Sequence, residues 1–181
     1  MTASNKRPTA RDFVTEDFDE VTLGKTKTHL SINKHRKLIL EGKVLYVDPA
    51  TGSGSCPGYA VTEEGILVDN GILEPTKAET SPYRLHQIVT AIQLYFPDCQ
   101  LLVIEGIRKN LGLIHSVGAI KAALGVPMIE VFPRTWRKYA GAAYCSWKSW
   151  ANKNGVSSDA EDARKIQEVT VAIARSFNRR Y

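Results

Sequence analysis

The chain predicts an α/β fold: a mixed sheet, antiparallel at one side and parallel at the other, flanked by helices. Two observations carry this. Three short β-rich apolar runs, at residues 44–47, 59–61 and 66–73, follow one another across turn clusters, which makes an antiparallel meander. Beyond them, segments of helical period alternate with further apolar runs, the pattern that builds parallel strand pairs.

Each element has its own signal. Residues 1–42 read as an N-terminal arm, partly irregular: a basic start at Asn5-Lys6-Arg7-Pro8, then an acidic stretch around Phe13, Val14 and Phe18. Leu38-Ile39-Leu40 is its one buried piece, and its His29 and His35 are candidates for phosphate contact. The folded unit is expected over residues 43–181. Its first strand ends in Asp48-Pro49, and a Gly- and Ser-rich turn leads to the second. Glu63-Glu64-Gly65 turns the chain tightly into the third strand, with a bulge expected near Asn70-Gly71. Ser81-Pro82 opens a helix with Leu85, Ile88, Val89, Ile92 and Phe96 at helical spacing, stopped by Pro97. Residues 100–107 form a strand. Residues 111–124 form a helix striped by Leu113, Val117, Ile120 and Leu124 and ended by Gly125. A strand at 126–132 is followed by a short helix from Pro133 to Gly141, another at 145–154, and a last helix from Ser158 to about Asn178. Ser158 and Glu161 have capping-box spacing.

Composition excludes several classes. In 181 residues, 43% are hydrophobic and 24% charged, which is globular rather than disordered. No apolar run approaches the ~20 residues of a membrane span, and the polar start has no leader core. Three widely spaced cysteines, Cys56, Cys99 and Cys145, make neither a disulfide framework nor a zinc site, so a reducing, cytoplasmic setting is expected. Charge is unevenly placed. Residues 43–133 hold 6 basic and 9 acidic side chains, whereas residues 134–181 hold 10 and 4. An acidic middle beside a basic C-terminal third suits a carboxylate site next to a polyanion-binding face.

Four acids stand in informative places. Asp48 ends the first strand, and Glu105 ends the apolar run 101–104, where a lone carboxylate is costly to bury. Asp159 and Asp162 lie one turn apart on the stripe that continues through Ile166, Val169 and Ile173, so both are expected to face the sheet. Carboxylates converging there repel one another unless a hard divalent cation lies among them. Two such ions suit phosphodiester hydrolysis. Structural roles compete: Asp48 before proline is also a turn former, and Asp159 is also an acid favoured by a helix start.

These pieces together resemble the RuvC-like Holliday junction resolvases of the ribonuclease H-like superfamily. The resemblance rests on Val47-Asp48-Pro49, on Gly58-Tyr59-Ala60-Val61 and Gly65-Ile66-Leu67, and on Leu102-Val103-Ile104-Glu105, 57 residues after Asp48. It continues through Phe132-Pro133, Trp136-Arg137-Lys138 and Asp159-Ala160-Glu161-Asp162-Ala163, covering about residues 43–176. It implies a ribonuclease H-like mixed sheet in which Asp48, Glu105, Asp159 and Asp162 hold two magnesium ions, with manganese able to substitute. It also implies a homodimer acting on branched DNA, above all four-way junctions, by paired phosphodiester hydrolysis. Arg108, Lys109, Arg134, Arg137, Lys138, Lys148 and Lys153 are the DNA-contacting residues on this reading. The family's aromatic wedge after the glutamate is replaced here by Ile107-Arg108-Lys109, and its glycine after Asp-Pro by Ala50, as in a phage-encoded or divergent member working in a host cytoplasm. Three other readings stand beside it: a ribonuclease H-like nuclease on other branched DNA or hybrids, a non-catalytic DNA-binding protein that kept the fold, and an actin-like ATPase. The last would need a duplicated half the chain lacks. Trp136, Trp147 and Trp150 fit base stacking, and fit core packing or a dimer contact at least as well.

Overall fold

A computed structural model describes residues 26–50, 56–74 and 81–178. The first 25 residues of the expected arm and the middle of the turn after Asp48 lie outside them. Two helices come first, α1 (Lys27–Lys34) and α2 (Arg36–Glu41). The meander follows as β1 (Lys43–Asp48), β2 (Gly58–Glu63) and β3 (Ile66–Ile72). Then come α3 (Ser81–Tyr95), β4 (Leu101–Glu105), α4 (Leu111–Leu124), β5 (Met128–Val131), α5 (Pro133–Ala140), α6 (Ala142–Lys153) and α7 (Asp159–Asn178).

The five strands form one sheet in the order β3-β2-β1-β4-β5. β1 pairs antiparallel with β2 and parallel with β4, and β4 pairs parallel with β5. The β2–β3 turn takes two residues, Glu64 and Gly65, at φ 53° and 71°, the backbone twist that two-residue hairpins favour. The register then shifts: Val61 faces Asp69 while Thr62 faces Leu67, so the extra residue is Val68. The bulge thus lies two residues earlier than Asn70-Gly71, which pair regularly with Ala60 and Tyr59.

Strand periodicity splits the core in two. Val44, Tyr46, Leu101 and Val103 point to one face, against Ile166, Val169 and Ile173 of α7 and Trp136 and Tyr144 of α5 and α6. Leu45, Val47, Leu102 and Ile104 point to the other, against Ile88 and Ile92 of α3 and Val117 and Ile120 of α4. The apolar runs Val44–Val47 of β1 and Leu101–Ile104 of β4 are what a strand covered on both faces requires.

Of the expected, partly irregular arm, the described part holds the helices α1 and α2, and Ile32 and Ile39 are fully buried in the α7-side core. Thr28 and His29 are buried as well. Thr28 Oγ1 donates to the Glu130 carbonyl at 3.4 Å, and the His29 ring lies 5.9 Å from that of Tyr139. His29 is therefore withdrawn from phosphate. His35 is partly buried, and burial followed by neighbouring Lys34 pushes its imidazole down, toward the neutral form. Among the described residues no helix is long and apolar enough to cross a membrane.

Candidate metal centre and nucleic-acid interface

Asp48 and Glu105 are the last residues of two adjacent parallel strands, and Val47 pairs with Ile104 just before them. Equal register and period-two alternation send both carboxylates to the α7 face, at the C-terminal edge of the sheet. α7 starts at that edge. Its stripe of Asp159, Asp162, Ile166, Val169 and Ile173 turns toward the sheet as the spacing predicts: Asp162 is buried, and Asp159 is partly so.

Gly58 permits the closeness. It opens β2 and pairs with Asp48. A Cβ at Gly58 would lie 1.8 Å from the carbonyl oxygen of Asp159 and 2.8 Å from the amide nitrogen of Ala160. The first turn of α7 therefore rests on a strand with no side chain. Ligand oxygens of Asp48, Asp159 and Asp162 come within 4.8 Å of one another.

Glu105 stands beside this trio with its oxygens engaged elsewhere. The Trp136 indole N–H donates to Oε2 at 3.0 Å, and Arg137 Nη2 lies 4.0 Å from Oε1. Asp162 takes three donors: the Tyr144 hydroxyl on Oδ1, and Lys148 Nζ and the Ser158 hydroxyl on Oδ2, the last at 3.1 Å. Ser158 thus serves Asp162, and Glu161 pairs with Arg164, instead of the two closing a capping box. Asp159 accepts from the Ser157 hydroxyl at 3.1 Å.

The electrostatics are those of a repulsive cluster. Burial, then the charges of Glu105 and Asp162, hold the Asp48 carboxyl well above its ordinary range. Burial likewise raises Glu105 and Asp159, opposed at Glu105 by Arg137 and at Asp159 by the Ser157 hydrogen bond. Between the ordinary carboxylate range and these raised values, the folded cation-free protein binds more protons than the unfolded chain. These three groups therefore lower stability as pH rises through that window. Burial, then the Asp162 charge, keeps the Tyr144 phenol protonated.

The cationic residues divide. Arg108, Lys109, Arg134, Lys138 and Lys153 are exposed, as a DNA-facing role needs. Arg108 lies over the Phe132 ring at 4.6 Å, and Lys138 lies 5.7 Å from the Tyr139 ring. A cleft of about 810 Å³ adjoins Glu105 and is lined by Arg108, Lys109, Arg134, Leu113 and Phe132. Lys148 departs from the expected group: its side chain is 21% exposed and its ammonium is committed to Asp162, inside the acid cluster. Arg137 belongs to both groups, half-exposed yet reaching Glu105. Trp136 is fully buried, which removes it from base stacking, whereas Trp150 is exposed.

Sequence spacing does not reveal Trp136, Tyr144 and Ser158 as partners of the acids. The available signal is a polar-tipped aromatic or hydroxyl at a core-facing position, and it names no partner.

The donor set fits a hard divalent cation. All its ligands are carboxylate oxygens, three of them converge, and desolvation makes their charge costly without a counter-ion. No protein-family model and no curated protein matches the chain. Among solved structures it is similar to Thermus thermophilus RuvC in complex with a Holliday junction substrate: 17% identity, 76% of this chain and 94% of that chain covered, TM-score 0.46. It is also similar to a second Thermus thermophilus RuvC structure, at 16% identity, with 76% and 95% covered and a TM-score of 0.44. The chain's own strand order, β3-β2-β1-β4-β5, with three antiparallel strands passing into parallel ones and helices on both faces, is the mixed-sheet architecture that the sequence predicts.

Proposed function

We propose that this protein is a magnesium-dependent endodeoxyribonuclease that cleaves branched DNA, four-way junctions above all. The observation that carries the reading is the convergence of Asp48, Asp159 and Asp162 at a sheet edge, with Glu105 on the adjoining strand end. A binding module gains nothing from such a repulsive group, whereas a hydrolase needs it. On this reading Asp48, Glu105, Asp159 and Asp162 would hold two magnesium ions, whose chemistry would be water activation and charge neutralisation at the leaving oxygen.

The chain's own residues perform the rest. The cleft beside Glu105 takes the DNA backbone, with Arg108, Lys109 and Arg134 on its wall and Lys138 on the same helix as Arg134. Lys148 balances part of the acid charge from within. Arg137, between Glu105 and solvent, is placed to meet the phosphate nearest the acids. The reading includes a homodimer, since two coordinated nicks need two sites and a junction is close to two-fold symmetric. α4 offers a surface for it: Leu111 is 71% and Ile114 37% exposed, and open space surrounds Gly118.

The test is incubation with end-labelled synthetic substrates in magnesium. Paired nicks at symmetric positions in a four-way junction are expected, with linear duplex cut far more slowly. Equal cutting of duplex, three-way DNA and RNA–DNA hybrid would move the reading to a nuclease of other substrate. No cleavage of any substrate would overturn it.

A further inference from the structure

We propose that Trp136 and Tyr144 are positioning residues, an uncharged aromatic bracket that turns Glu105 and Asp162 into the orientation a divalent cation needs. The inference rests on the metal reading above and adds two residues to it.

Trp136 comes from α5 and Tyr144 from α6, and both are essentially fully buried. Core filling alone would be met by phenylalanine at position 144 and asks for no polar donor at either place. Each side chain instead carries a donor, and each donor reaches one of the acids: indole N–H to Glu105 Oε2 at 3.0 Å, phenol O–H to Asp162 Oδ1. The two rings meet edge to face, with centroids 5.9 Å apart and planes at 61°, and Trp147 packs beside Tyr144 at 5.7 Å. Two carboxylates that enter from a strand and from a helix are thereby held by one rigid unit.

The chemistry of the donors is selective. Each occupies one oxygen of its carboxylate and leaves the other, Glu105 Oε1 and Asp162 Oδ2, to the remaining partners. Neither donor is charged, so neither competes with a cation as Lys148 and Arg137 do. An indole N–H cannot accept, so it favours the ionised carboxylate over the protonated one. Groups that orient ligands in this way alter metal affinity by roughly 10–100-fold when removed.

The experiment measures magnesium binding by calorimetry, and junction cleavage against magnesium concentration, for the wild type, Tyr144→Phe, Trp136→Phe and the control Tyr139→Phe. Tyr144→Phe keeps the ring and removes only the donor, so it decides the matter if Trp136→Phe fails to fold. The bracket predicts magnesium affinity weakened roughly 10–100-fold in Tyr144→Phe and Trp136→Phe. Half-maximal cleavage shifts to correspondingly higher magnesium, the maximal rate is regained at saturation, and Tyr139→Phe matches the wild type. Wild-type affinity in Tyr144→Phe, or a rate lost at every magnesium concentration, would overturn the bracket and leave the metal reading standing. A wild type that binds no magnesium would overturn both.

Discussion

Asp48→Asn and Glu105→Gln are each expected to lower junction cleavage by more than about 100-fold, beyond the loss that follows removal of a merely supporting residue around a metal. Both side chains keep their shape and lose the charge that would hold a cation. Junction binding is expected to persist in both, because affinity comes from the exposed arginines and lysines of the adjoining cleft and not from the acids. Each substitution also removes a negative charge from a surface meant to meet phosphate, so affinity should hold or rise slightly. Cleavage and gel-shift titrations on the same junction separate the two properties. Near-normal cleavage by either variant would contradict the role given to that acid.

Gly58→Ala is expected to be nearly as damaging to cleavage, although position 58 carries no side chain and no chemistry. The added methyl meets backbone, the Asp159 carbonyl at 1.8 Å and the Ala160 nitrogen at 2.8 Å, and neither can swing aside. The first turn of α7 must lift from β2, carrying Asp159 and Asp162 away from Asp48. Overpacking of this kind costs about 1–3 kcal/mol, which denaturant unfolding will register. The site should suffer more than the fold, because the displaced turn holds two of the four acids. Gly71→Ala, on the same sheet edge, is the comparison: its methyl would meet only the Tyr59 side chain, at 3.1 Å. Wild-type cleavage by Gly58→Ala would mean that α7 does not need that contact to place its acids.

Legibility in the sequence followed the physics of each part. β1, β4 and the α7 stripe were readable because burial on a face imposes a period, and Asp48, Glu105 and Asp162 stood out as charges placed on it. In α2 the buried Ile39 is legible within Leu38-Ile39-Leu40, whereas α1 is not legible, because its buried positions include Thr28 and His29, whose burial depends on partners more than a hundred residues away. The bulge at Val68 is not legible because Asn70-Gly71 is the weaker strand former, whereas the tight Glu64-Gly65 turn sets the register that strands the extra residue. Lys148 read as one more cation of a basic third. Only the fold shows it turned inward to Asp162. The bracket was hidden for the same reason: no spacing rule links residue 136 to residue 105.

On the proposed function the acid cluster is unstable without a cation and receives one when magnesium is present. Thermal unfolding of the wild type and of Asp48→Asn, each in EDTA and in magnesium at neutral pH, tests it most directly. In EDTA the variant should melt a few degrees above the wild type, because it lacks a desolvated charge that Glu105 and Asp162 repel. Magnesium should raise the wild-type midpoint as its concentration grows and leave the variant nearly unmoved, since only a ligand bound by the folded state stabilises it. A wild-type midpoint indifferent to magnesium, with Asp48→Asn no more stable in EDTA, would contradict the claim.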